Sequence, residues 1–327
     1  MAVLHVIEQG ARVGLSQGRV TISIDDREVN SVPARKVSLV VVAGNVRFST
    51  PALTFFMRNG VSVHFCSVHG QLHGLAGSLE VAPATRIAAQ LAACESAEGL
   101  GIAKEMLGAK LHNTAMVLRR MSGAGYEVEE ERVTVDVMIN RLEHVRSRDE
   151  CRGIEGSAAA AYFRALRTQL GTFGFLGRSM RPPLDPVNAT LSYGYSLLGG
   201  RVTLAVYAAG LHPEVGLLHA MTRRNHALVF DVMEEFRIPA VDLVVASAFL
   251  DGRLNPVAHF EDQNGGIYLN DEGKRTVIPL FERRYDAEFV DQTGRKNKLD
   301  DIVRTAARLV AAAVEGRREY TGFRMKA

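Results

Sequence analysis

Three carboxylates interrupt an apolar run, Ala227-Leu-Val-Phe-Asp231-Val-Met-Glu234-Glu235-Phe236. The run suits a buried helix, and Asp231 and Glu234, three residues apart, then share a face. Two half-buried carboxylates repel each other and are costly to desolvate, so a positive group must sit against them. An arginine would make the cluster structural. A metal ion would make it chemical.

Two other positions offer metal-ligand chemistry. Glu155 lies in Gly153-Ile-Glu155-Gly156-Ser157-Ala158, followed by more small residues that allow a close approach by a helix or a phosphate backbone. Its plainer reading is a carboxylate near a helix start, favoured by the helix dipole. His219 follows Gly210-Leu-His212-Pro213-Glu214. With Pro213 in a first helical turn, His219 falls about two turns in, among Leu217, Leu218 and Met221. The plain reading there is a core histidine. For the acidic run it is pairing of Glu234 or Glu235 with Arg237 or Arg201. Helical phase weakens that reading: Leu228, Asp231 and Glu235 share one face while Phe230 and Glu234 share the next, so acids and apolar residues are not segregated. Taken together, Glu155, His219 and Asp231/Glu234 supply two or three oxygen ligands and one imidazole. That set suits Mn2+ or Mg2+, with the imidazole favouring Mn2+. Such an ion can serve phosphoryl chemistry.

The remaining composition narrows the setting. The chain has 327 residues and a net charge of +3, too weak to indicate nucleic acid by itself. Basic clusters at Arg178–Arg181, Arg223-Arg224, Arg283-Arg284, Arg295–Lys298 and Arg317-Arg318 are more informative, being able to hold phosphates. Cys66, Cys94 and Cys151 form no metal or redox spacing and are expected as free thiols. No apolar stretch is long enough for a membrane span, and the first residues lack a signal-peptide pattern, so a cytoplasmic location is expected.

The elements that must position these residues fall into two groups. The first eighty residues read as strands, including Val3–Ile7, Val20–Ile24, Val37–Val42 and Val61–Phe65, with turn residues between them. One helix interrupts them, capped by Ser49-Thr50-Pro51. From Ala84 onward helical spacing dominates. Helices are expected at about 84–120 with a break near Ser96–Gly101, then at Glu129–Arg148, Glu150–Leu170, Ala189–Leu198 with Asn188 as cap, Arg201–Ala209, Pro213–Thr222, Leu228–Phe236, Pro239–Ala248 and Leu299–Glu315. The Gly- and Asn-rich stretch 260–279 is compatible with a short helix or a hairpin. The fold class is α+β in two segregated domains: a small β-rich domain over 1–83 and a larger all-α domain over 84–327.

Four stretches read together resemble a known family. They are Glu155-Gly-Ser-Ala-Ala-Ala-Ala-Tyr162, Pro183-Leu-Asp-Pro-Val-Asn188 through Ser192-Tyr193-Gly-Tyr195, Ala208 to His219, and Asp231-Val-Met-Glu234-Glu-Phe-Arg237 with Val241-Asp242. In order and spacing they resemble the CRISPR adaptation integrase, the universal metal-dependent DNA endonuclease of CRISPR loci. Tyr320-Thr-Gly-Phe323-Arg also fits, so the resemblance spans essentially the whole chain. It implies Glu155, His219 and Glu234 as metal ligands, Asp231 as a supporting acid and Glu235 as a bystander. Many members carry Asp at the third ligand position, where this chain has Glu. The resemblance further implies a β-rich dimerisation domain, a homodimer, and a small ferredoxin-like companion protein. It implies integration of short duplex DNA by attack of a 3′-hydroxyl on a repeat phosphodiester. Arg178, Arg181, Tyr193, Arg223 and Arg224 are the expected DNA contacts. The competing readings are a metal-dependent nuclease acting on branched DNA in repair and a catalytically silent DNA scaffold.

Overall fold

The computed structural model describes residues 2–78, 82–221, 226–290 and 294–326. The chain divides into two compact units, Met1–Glu80 and Val81–Ala327.

The first unit contains β1 (Ala2–Val6), β2 (Arg12–Ser16), β3 (Arg19–Ile24), β4 (Arg27–Pro33), β5 (Val37–Ala43), β6 (Arg47–Phe48), α1 (Thr50–Arg58), β7 (Ser62–Cys66) and β8 (Leu72–Ala76). One sheet has the order β1-β5-β7-β8, parallel except for its last pair. The other has the order β4-β3-β2-β6, an antiparallel meander edged by a parallel β6. β5 is the near-continuous apolar run expected of a central parallel strand. Its Val40 packs with Val13, Val20, Phe56 and Val63 in one fully buried cluster. Burying a side chain such as Phe56 contributes about 2–3 kcal/mol. The helix start predicted at Ser49-Thr50-Pro51 is present: Ser49 Oγ accepts from the Ala52 N–H at 3.3 Å.

The second unit is mainly helical: α2 (Ala84–Ala93), α3 (Ala97–Gly123), α4 (Glu129–Leu142), α5 (Arg148–Leu170), α6 (Pro186–Ala208), α7 (Ala227–Met233), α8 (Leu243–Leu250), α9 (Asp271–Asp286) and α10 (Leu299–Val314). α3 packs on both α4 and α5. Ser96 and Ser147 cap α3 and α5 by accepting the N–H groups of Gly99 and Glu150. No helix among the described residues is long and apolar enough to cross a membrane.

Several expectations are corrected here. The unit is not all-α. It carries two hairpins, β9 (Phe260–Gln263) with β10 (Gly266–Leu269), and β11 (Glu288–Val290) with β12 (Lys296–Lys298). The first turns through Asn264 and Gly265, both at positive φ, the conformation that a two-residue hairpin loop requires. The expected helices 189–198 and 201–209 are one continuous α6. Its cap is Asp185, which accepts from the Asn188 N–H at 2.8 Å, with Pro186 in the first turn. No helix forms over 213–221. Side chains capture that backbone instead. Gln90 accepts from the His212 N–H and donates to the carbonyls of His212 and Val215. Between α7 and α8 the chain widens into a π turn over Arg237–Asp242. Pro239 within it has no N–H to give a regular helix.

Candidate metal centre

The segment 234–242 carries three acids, Glu234, Glu235 and Asp242, and one base, Arg237. Asp231 projects from α7 and is fully buried. Its Oδ2 accepts the N–H groups of Leu217 at 2.5 Å and Leu218 at 3.0 Å, and its Oδ1 accepts that of His219 at 2.9 Å. The same Oδ1 lies 2.6 Å from His219 Nδ1. Nδ1 is therefore the donor, and Nε2 keeps its lone pair for a ligand. The loop is held from its other side as well. Arg148 Nε donates to Leu217 O at 2.7 Å, and an Arg152 guanidinium N–H donates to Leu218 O at 3.2 Å. Gly216 permits this approach: a Cβ there would lie 2.6 Å from both Ala227 Cβ and His219 O. His219 is thus aimed by a bonded loop rather than by the helix expected for it.

Glu234 comes immediately after the last residue of α7 and is 2% exposed. Arg237 Nε donates to its Oε1 at 2.8 Å, while Lys110 Nζ of α3 lies 2.5 Å from its Oε2. Lys110 also donates to Glu155 Oε1 of α5 at 2.7 Å. Burial opposes ionisation of Glu234, but Arg237 and Lys110 outweigh it and hold the carboxyl down at about 2. Burial likewise opposes the charge on Lys110, and Glu234 with Glu155 outweigh that and push its ammonium up. For His219, burial disfavours the imidazolium, and the bond and charge of Asp231 outweigh it and raise the group.

Among the described residues, Glu155, His219 and Glu234 each offer a ligand atom, and these atoms lie within 4.8 Å of one another. The set fits a divalent cation. Two carboxylates and an imidazole are suitable donors for Mn2+ or Mg2+. The Lys110 ammonium is drawn to both carboxylates, which marks where positive charge is favoured. Glu234 Oε2 is buried with no aligned hydrogen-bond donor, leaving an acceptor direction for an ion. Asp231 is not available in the same way, because both its oxygens are engaged.

The other residues named from sequence separate. Glu235 faces away: Tyr320 O–H donates to its Oε1 at 2.5 Å and the Phe323 N–H donates to its Oε2. Burial pushes its carboxyl up to about 7, against the effect of these donors. Arg201, one suggested partner of the acidic run, pairs instead with Glu282 and Asp300. Tyr193 is buried in α6. Arg178 is half-buried, donating to Asn188 Oδ1 at 2.8 Å and Ser192 Oγ at 3.0 Å. Arg181 is exposed. Arg223 and Arg224 lie outside the described residues.

Lys110 was missed by sequence reasoning. Its signal was a lone lysine in the mostly apolar stretch Met106–Leu118 of α3. A second buried network lies behind the centre. The Arg237 guanidinium sits 4.8 Å from the Tyr195 ring centroid, and Tyr195 O–H lies 2.6 Å from Asp242 Oδ1.

Comparison with known proteins bears on the family and the fold. The family model for CRISPR associated protein Cas1 matches residues 4–283. A CRISPR-associated endonuclease Cas1 of Thermus thermophilus is 46% identical over 322 residues, covering 98% of each chain. A second, from Archaeoglobus fulgidus, is 28% identical and covers 97% of each. Among solved structures, a casposase bound to integration product superposes with a TM-score of 0.86 at 22% identity, covering 98% of this chain and 93% of the other. A Cas1 protein from Thermotoga maritima superposes at 0.83 and 21% identity, covering 98% and 99%. With a β-rich first unit, a helical second unit and a near full-length match to these proteins, the chain belongs to the Cas1 family of CRISPR-associated proteins.

Proposed function

We propose that this chain is a metal-dependent DNA endonuclease and integrase that inserts short DNA into a CRISPR array. The observation that carries the reading is the convergence of Glu155, His219 and Glu234, from α5, a bonded loop and the end of α7, onto one point. The naming of its relatives as CRISPR-associated endonucleases supports it. So does the fold shared with a casposase captured on an integration product.

Glu155, His219 and Glu234 would hold Mn2+ or Mg2+. Such an ion, when bound, supplies Lewis-acid stabilisation of phosphoryl charge and lowers the pKa of an attacking hydroxyl. The protein's own groups do the rest. Asp231 holds His219 Nδ1 and so leaves Nε2 as the ligand atom. Lys110 balances the two carboxylates in this state. Arg237 neutralises Glu234 from behind. A terminal 3′-hydroxyl attacks a repeat phosphodiester, one P–O bond forms as another breaks, and the displaced 3′-hydroxyl carries the proton away. No external energy source is needed. Water in place of the hydroxyl gives cleavage.

The N-terminal unit is read as the dimerisation domain, residues 1–83, with 84–327 as the catalytic domain. The working assembly is a homodimer with a small ferredoxin-like companion on duplex DNA, in the cytoplasm. Solved complexes described as Cas6-RT-Cas1–Cas2 contain a chain of this fold and support the companion.

Glu155→Ala and His219→Ala are expected to abolish both cleavage and strand transfer while leaving duplex binding near wild type. Full metal-dependent activity in either variant would sink the assignment. Transfer of a 3′-hydroxyl oligonucleotide into a supercoiled plasmid carrying a repeat, with and without the companion, separates an integrase from a nuclease acting on branched repair intermediates.

A further inference from the structure

Glu235, the acid that turns away from the centre, sits at the junction between the centre and the C-terminal tail. The tail residues Tyr320–Met325 form no regular element, yet Tyr320, Phe323 and Met325 are buried. Both Glu235 oxygens are taken by the tail, at the Tyr320 hydroxyl and the Phe323 N–H. Asn113 of α3 completes the junction. Its Nδ2 donates to Glu235 O at 2.9 Å and Phe323 O at 3.1 Å, and its Oδ1 accepts the Met325 N–H at 2.8 Å. Asn113 stands one helical turn from Lys110, which contacts Glu234. α3 and the turn after α7 are therefore joined twice, once through the centre and once through the tail.

The fit is close. A Cβ on Gly322 would lie 2.7 Å from Ala109 Cβ and 3.0 Å from Glu235 Oε2. The Phe323 ring stacks on Phe236 with centroids 5.7 Å apart. Buried polar junctions of this kind rigidify the elements they join when every member is satisfied.

We infer that the tail is a positioning clamp for the centre: Tyr320, Phe323 and Asn113, acting through Glu235, set where Glu234 stands relative to Glu155. This rests on Glu155, His219 and Glu234 holding a divalent ion. The clamp acts on affinity for that ion, so the readout is binding of Mn2+ alone, measured from the electron paramagnetic resonance signal of the free ion on the full chain. Tyr320→Phe removes one hydroxyl and Gly322→Ala forces the tail outward. Each is expected to weaken Mn2+ binding about tenfold, as loss of outer-layer support does at metal sites. Val310→Ala, a change at a buried α10 residue that makes none of the junction's hydrogen bonds, lowers the melting temperature but is expected to leave the Mn2+ Kd at its wild-type value. Tail variants that melt earlier yet keep the wild-type Kd overturn the clamp and leave the centre standing. An Mn2+ Kd left at its wild-type value by Glu155→Ala overturns the centre and the clamp together.

Discussion

The turn at Glu234–Phe236 has a side facing the centre and a side facing the tail, and each buries one carboxylate. Glu234 and Glu235 are adjacent and almost equally buried, at 2% and 0% exposure. Their acidities diverge, to about 2 and about 7. Burial disfavours ionisation in both. The difference lies in the partners: two cations, Lys110 and Arg237, against Glu234, but a phenol and a backbone amide against Glu235. Asp242 repeats the second case. Burial pushes it up to about 6, and its nearest partners are the hydroxyls of Tyr195 and Tyr162. Charge next to a buried acid, rather than depth, decides whether it is kept as an anion fit for a metal or as a hydrogen-bonding peg.

The largest test of this contrast is Glu234→Gln. It leaves the half-buried Lys110 and Arg237 with less negative charge to meet them, so a loss of about 3 kcal/mol is expected in denaturant unfolding. An unchanged midpoint would show that the cations do not depend on Glu234.

Next comes the pH dependence of Glu235→Gln. The folded carboxyl stands near 7, above its unfolded value of 4.5. Its contribution is therefore fully present below about pH 4.5 and is lost as pH rises through 7. The stability of wild type relative to the variant should fall by about 3 kcal/mol between those limits. Glu234, held near 2, has the opposite sign: its contribution is present above pH 4.5 and fades as pH falls towards 2.

Asp242→Asn sharpens the comparison by a slightly smaller amount. Its folded value of about 6 against 3.8 places the same downward trend lower, between about pH 4 and 6. Urea titrations of wild type and Asp242→Asn at pH 4 and 8 should show wild type losing stability relative to the variant at the higher pH. Parallel behaviour would mean the Tyr195–Asp242 pair does not hold the proton.

Much of this was legible in the residues, and the failures share a cause. The Ser49-Thr50-Pro51 start, the break at Ser96 and the strand-to-helix change near residue 83 depend on local capping and periodicity, which sequence carries. Glu155, His219 and Glu234 could be named together because four motifs kept their order. Pro213 misled because its downstream amides are claimed by Asp231, fourteen residues after Leu217, which no local rule sees. Lys110 was invisible because its importance lies in meeting two acids from other elements. The 260–279 stretch did carry its answer in Asn264-Gly265, whose turn chemistry outweighs the helical surroundings.

The π turn over Arg237–Asp242 has a consequence for what a deletion in this chain would do. A widened turn is an α-helix carrying one surplus residue. Deleting a residue there would restore a regular ladder of backbone bonds, yet rotate the downstream helix by about 100°. Asp242 would then swing away from Tyr195 while Glu234, upstream, stayed in place. A one-residue deletion at this point would heal the helix and dismantle the pocket wall behind Arg237. Here a gap is the damaging mutation.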